Sequence, residues 1–238
     1  SSISPPSSAI SGVRLRAFGR GVAGFLAELG GRVQDATGAD DSLEAFRRAS
    51  RAARLPWSLA GPPLPVERID GLGMEARLYR PPVPGPVPLL VWLHGGGWTL
   101  LDLDTHDRLM RGLAQRSGSA VLGLAYPLAP EAPFPGAIRA LGTALDRLAP
   151  GLPALGIDPD RIVLGGDSSG ANLALALTLG PLPVAPAGLV LAYGVWDSDL
   201  DRPSYARFSA PPFLLTRDRM ACFWSSYCPA PEDRRAPL

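Results

Sequence analysis

The sequence predicts an α/β protein built on a mostly parallel central sheet with helices on both faces. Three observations carry this reading. Short, continuous apolar runs at residues 89–93, 120–124, 162–164 and 189–191 have the look of strands buried on both faces. Segments whose apolar residues recur at helical spacing, 104–117, 134–148 and 171–179, lie between those runs. The chain of 238 residues, 46% hydrophobic, is long enough for one domain with a sizeable core. Strands alternating with helices call for parallel βαβ units.

In chain order, residues 1–11 read as a loose Ser/Pro tail. Val13, Phe18, Val22, Phe25, Leu26 and Leu29 then mark one amphipathic helix, and Leu43, Phe46 and Leu55 a second over about 42–55. Gly30-Gly31 and Asp40-Asp41 form the expected break, with Asp41 or Ser42 as N-cap. Both helices precede any strand, so they should cover the sheet rather than form its centre. Residues 66–69 and 75–79, separated by Asp70-Gly71-Leu72-Gly73, predict an antiparallel hairpin. The helix at 134–148 presents Ile138, Leu141, Leu145 and Leu148 as one stripe. Beyond residue 196 no further strand is evident, and 216–227 is the one expected helix.

Composition removes several classes of function. Twenty-three basic residues, all arginine, against 22 acidic ones leave a net charge of +1, which is no footprint for nucleic acid or an anionic membrane. Cys222 and Cys228 make neither a disulfide framework nor a zinc site, and free thiols on different helix faces are expected. No apolar run reaches the roughly 18 residues of a spanning helix, and residues 1–10 lack the layout of a signal peptide. The expectation is a soluble cytoplasmic domain with no cofactor and no metal.

Gly166-Asp167-Ser168-Ser169-Gly170 leaves the strand at 162–164 and opens the helix at 171–179. G-x-S-x-G is weak alone, but strand–turn–helix is the context a nucleophile elbow requires. Such a turn strains Ser168 and lifts its hydroxyl above the sheet, while Gly166 and Gly170 leave room for crossing backbone. A phosphate-binding turn or a plain connecting turn would use the same residue types. His94-Gly95-Gly96-Gly97-Trp98 follows the strand at 89–93. Three glycines let backbone N–H groups turn toward a ligand, as stabilising an oxyanion requires. His94 is expected to brace that loop, and His106, at a helix start, to lie at a cap or on the surface. The Pro-rich stretch 126–135 predicts a stiff loop.

Together, residues 94–98, 103–107, 126–135 and 166–170 resemble the hormone-sensitive-lipase-like family of α/β-hydrolase serine esterases. Members usually carry Arg where Pro127 stands, His at Ala132 and often Ala at Ser169. The resemblance implies an α/β-hydrolase fold with a helical cap, hydrolysing short-chain carboxylic esters through Ser168 as nucleophile. It assigns the oxyanion-hole amides to Gly96, Gly97 and Ser169, supported by His94, Gly95 and Trp98, with Gly166, Asp167 and Gly170 shaping the elbow. Residues 1–60 would be the N-terminal cap region and 61–238 the core, with 196–230 a second cap segment. In this family the triad runs Ser, Asp or Glu, then His. Both histidines, His94 and His106, precede Ser168, so the expectation is a core truncated before the acid, the base and the last strands. A second copy of the chain or a complementing C-terminal segment would then be a partner. A ligand-binding receptor on the same fold, or an inactive truncated member, stays open as the alternative.

Overall fold

The computed structural model describes residues 24, 28, 29, 31, 42–58, 61–208, 213, 215–230 and 232–235. The tail at 1–11 and nearly all of the helix expected over 13–29 lie outside them. Gly31 is helical, while Gly30, Asp40 and Asp41, where the rest of the expected break falls, lie outside the described residues. Helix α1 (Leu43–Ser58) begins at Ser42, whose Oγ accepts the Ala45 N–H at 3.1 Å.

Strands β1 (Val66–Arg68) and β2 (Ala76–Tyr79) pair antiparallel, as the hairpin pattern predicts. There follow β3 (Val87–Leu93), α2 (Leu103–Ser117), β4 (Ala120–Leu124), α3 (Gly136–Leu148), β5 (Ile157–Asp167), α4 (Ser169–Thr178) and β6 (Gly188–Ala192). A short α5 (Pro203–Phe208) and α6 (Arg217–Tyr227) complete the described helices, with single 3₁₀ turns at Ala149–Gly151 and Asp233–Arg235. Helix α2 is set by a capping box, in which Asp102 accepts the Thr105 N–H and Thr105 returns a bond to Asp102. β5 is far longer than its three-residue apolar core, because the mostly exposed residues 158–161 lengthen it at one end and Gly165, Gly166 and Asp167 at the other.

The sheet order is β1-β2-β4-β3-β5-β6, with β4, β3, β5 and β6 parallel. From β3 the chain crosses to β4 on one side, then back past β3 to β5 on the other. That reversal opens a crevice beyond the C-terminal ends of β3 and β5, where open α/β sheets place their chemistry. One sheet face packs Leu90, Trp92 and Val121 against Leu103, Met110 and Ala114 of α2. The opposite face meets α3 and α4 through Leu141, Leu145, Leu148, Leu173 and Leu177. β6 is the exception to the expected two-sided burial. It stands at the edge, with Leu189 and Val190 exposed.

Candidate active site

Ser168 sits between the end of β5 and the start of α4 with φ 53° and ψ −120°. A non-glycine residue held there costs on the order of 1–3 kcal/mol, and its surroundings must enforce it. The Ser168 N–H donates to the Ala192 carbonyl at 2.9 Å, and its carbonyl accepts the Asn172 N–H at 3.2 Å. Asn172 Nδ2 in turn donates to Val195 O at 3.0 Å. Three backbones crowd the turn. A Cβ on Gly166 would lie 2.5 Å from the Leu93 carbonyl oxygen, and one on Gly170 would strike that same oxygen. As the first residue of α4, Ser169 has an amide without an intrahelical partner, beside the positive end of the helix dipole.

The glycine loop lies next to this turn, because Leu93 is in register with Gly166. Gly96 adopts φ 134°, open to glycine alone, and its carbonyl accepts the N–H groups of Thr99 and Leu100 at 3.2 and 2.9 Å. The resulting turn leaves the amides of Gly96 and Gly97 without a hydrogen bond among the described residues. Gly97 backs onto the Phe223 ring of α6, and Trp98 is buried, stacked on Tyr227 with centroids 4.4 Å apart.

The stretch at 126–135 works as a brace. Tyr126 stacks on His94 at 4.4 Å and donates its hydroxyl to the His94 carbonyl at 2.7 Å, while Ala129 N–H donates to Trp98 O at 2.9 Å. From α1, Arg47 donates to the carbonyls of Thr99 and Ala129, each at 2.7 Å, and pairs with Glu131 at 2.6 Å. The hydrogen bond from Arg47 holds the Glu131 carboxyl down at about 2.

His94 takes the bracing place expected of it. Its ring is buried and Nδ1 lies 2.9 Å from the Gly95 carbonyl. Burial, and next the neighbouring His106, push its pKa down to about 4. His106 departs from the expectation of a capping or surface residue, being 5% exposed. The reason is helical phase: Leu103, His106, Met110 and Ala114 form the buried stripe of α2. His106 Nε2 lies 3.3 Å from Asp167 Oδ2. Asp167 also accepts the Trp92 indole N–H and the Gly95 N–H at Oδ1 and the Tyr193 hydroxyl at Oδ2, all at 3.2 Å. Desolvation pushes this carboxyl up. The bond and charge interaction with His106 and the bonds from Gly95 and Tyr193 outweigh it, so its pKa falls below the ordinary aspartate value.

Sequence reasoning named Asp167 only as part of the elbow and missed Trp92, His106 and Tyr193 around it. The stripe on α2 could have found His106. Nothing in the sequence pairs Tyr193 with Asp167. Neither histidine ring hydrogen-bonds Ser168 among the described residues. No group of three or more His, Cys, Asp or Glu side chains among them could hold a metal ion. Cys222 is exposed, Cys228 is buried, and both are free thiols. A cavity of about 660 Å³ opens between α1 and α2, lined by residues such as Arg54, Trp57, Leu109 and Gly112; Ser168 is not in its wall.

A strained serine between a parallel strand and a helix, facing a three-glycine loop, is the construction of an α/β hydrolase. Residues 90–238 match the family model described as alpha/beta hydrolase fold, and the chain belongs to that family. It is 38% identical over 175 residues to the ethyl acetate hydrolase of Pseudomonas putida, covering 71% of this chain and 55% of that protein. It is 32% identical over 211 residues to the acetyl esterase of Salmonella choleraesuis, covering 84% and 64%. The chain thus spans about half to two thirds of the length of these curated relatives. Among solved structures, the hyperthermophilic esterase from the archaeon Pyrobaculum calidifontis superposes with a TM-score of 0.81 at 29% identity, covering 92% of this chain and 73% of that one.

Proposed function

We propose that the chain carries the nucleophile and oxyanion hole of a carboxylic ester hydrolase. Ser168 attacks the ester carbonyl, an acyl-enzyme forms as the alcohol leaves, and water releases the acid. The amides of Gly96, Gly97 and Ser169 stabilise the oxyanion, a donor set in which each member is typically worth about 2.7–4 kcal/mol of barrier. The observation that carries this reading is the positive φ of Ser168, beside two glycine amides that have no hydrogen bond among the described residues. Short acyl esters are the substrate class, supported by the relatives named for ethyl acetate and acetyl ester hydrolysis. Residues 1–60 and 196–230 serve as cap pieces over the site. α6 supports this through Phe223, which lies against Gly97.

The base for Ser168 comes from a group outside the described residues, because His94 and His106 are both engaged elsewhere. A complementing C-terminal segment, or a second copy, would pair at the open β6 edge. Placement in the cytoplasm is supported by the two unpaired thiols. The test is labelling by an uncharged fluorophosphonate, with p-nitrophenyl esters of rising chain length as substrates. Labelling of Ser168 that disappears in Ser168→Ala is expected, together with turnover that peaks at short acyl chains once the group supplying the base is present. Labelling that survives in Ser168→Ala moves the nucleophile elsewhere, and turnover that peaks at long chains overturns the substrate class.

A further inference from the structure

We propose that Asp167 is a positioning residue that fastens the glycine loop to the strand carrying the nucleophile. The inference deepens the esterase reading and rests on it for its consequence in activity. Asp167 is the last residue of β5, next to Ser168, and its side chain is 9% exposed. Four donors from four separate segments converge on it. Trp92 comes from the end of β3, Gly95 from the glycine loop, His106 from α2 and Tyr193 from the turn after β6. An ionised carboxylate only accepts hydrogen bonds, so all four bonds point inward, and His106 must carry its proton on Nε2.

The bond that matters most is the one from the Gly95 N–H to Oδ1. Gly95 immediately precedes Gly96 and Gly97, and a Cβ at Gly95 would lie 2.5 Å from Asp167 Oδ2. The side chain thus fills the space behind the loop as well as holding its first amide. With Gly95 pinned, the next two amides keep a fixed distance from Ser168, which itself hangs from Ala192 beside Tyr193. One carboxylate therefore ties the loop after β3, the nucleophile turn and the turn after β6 into one unit. Oxyanion stabilisation depends on such preorganised donors, so loosening the tie should slow the bond-forming step more than it weakens binding.

The experiment compares Asp167→Ala with Asp167→Asn in two readouts. The first is amide hydrogen exchange of residues 94–98, measured against that of β5 and α4. The second is the fluorophosphonate labelling of Ser168, separated into inhibitor affinity and maximal rate. Loss of one hydrogen bond predicts, in the alanine variant, about tenfold faster exchange at Gly95. β5 and α4 should be unchanged, and the maximal labelling rate should fall about tenfold or more at nearly constant affinity. Asparagine retains an acceptor at Oδ1, so it should keep Gly95 protected and recover most of the labelling rate. Unchanged Gly95 exchange in a folded alanine variant overturns the proposal, as does exchange rising evenly through β5 and α4. If the alanine variant does not fold, the asparagine variant decides. Gly95 protection kept supports the tie, and protection lost in a folded Asp167→Asn refutes it. Absence of any wild-type labelling would count against the esterase reading alone, because the exchange measurement stands without it.

Discussion

At one edge of the sheet β1 is three residues long, contains Glu67 and Arg68, and has Glu67 ion-paired to Arg80. At the other edge β6 runs Gly188, Leu189, Val190, Leu191, Ala192 without a charge, and Leu189 and Val190 are 38% and 46% exposed. Natural sheets protect an edge with short strands and charges, so β1 is finished as an edge and β6 is not. β6 has the composition of an interior parallel strand. Tyr193 and Trp196 beyond it are exposed too. Between these edges the meeting of β3, β5 and α4 leaves no spare volume. The contrast teaches that the elbow and glycine loop are assembled by contacts within this chain, whereas the β6 flank leaves apolar side chains exposed.

The sharpest way to break the comparison is at its tightest point. Gly170→Ala drives a Cβ into the Leu93 carbonyl, which belongs to a central strand and cannot retreat. Overpacking against fixed backbone should cost roughly 4 kcal/mol or more, enough to unfold a marginal domain. Urea denaturation of the variant checks this; a midpoint close to that of the wild type would mean that the centre has slack.

The next effect is acid lability at the same place. His94 is buried neutral, with its pKa lowered from 6.5 to about 4, first by desolvation and then by His106. The unfolded chain takes up the proton near pH 6.5 and the folded one only near 4. The stabilisation is therefore complete above 6.5 and is lost as pH falls through that window. Its size is roughly 3 kcal/mol. Unfolding free energies measured at pH 7, 5.5 and 4.5, with the His94 ring titration followed by NMR, check this. A ring midpoint at or above 6.5 would exclude it.

Legibility in the sequence followed the same division. Periodicity located β3, β4, α2, α3 and α4 to within about two residues, because their apolar patterns report burial directly. G-x-S-x-G and the three glycines located the turns, because only those residues tolerate the backbone crossings found there. Burial of β6 was misjudged: an apolar run reveals what a strand is made for, not whether a neighbour lies on it. Asp167's partners stayed hidden because Trp92, Gly95, His106 and Tyr193 meet only after the chain has crossed the sheet three times. The polar extension of β5 was missed for a simpler reason, since residues 158–161 carry no apolar signal.

A smaller effect lies on the outer face of α2. Gly112 is in the helix interior, lines the cavity beside α1, and would meet nothing within 4 Å if given a Cβ. Gly112→Ala should therefore stabilise by up to about 1 kcal/mol, the helix-propensity difference. A destabilised variant in thermal unfolding would show that the space is already filled.

The smallest change in stability should accompany the largest change in behaviour. Val190 points outward from the exposed edge strand, so replacing it with lysine removes little packing and should alter unfolding free energy by no more than about 0.5 kcal/mol. Yet a lysine on an open edge opposes strand addition, because any strand pairing with β6 would have to bury or crowd the ammonium. The wild-type chain at tens of micromolar should therefore self-associate in sedimentation velocity runs, and Val190→Lys should shift it toward monomer. The equivalent charge at the opposite edge, Val66→Lys, should leave association unchanged, because β1 already carries Glu67 and Arg68. If both variants sediment like the wild type, the two edges are equivalent in solution. If Val66→Lys alone dissociates the chain, the protected edge has been assigned to the wrong side of the sheet.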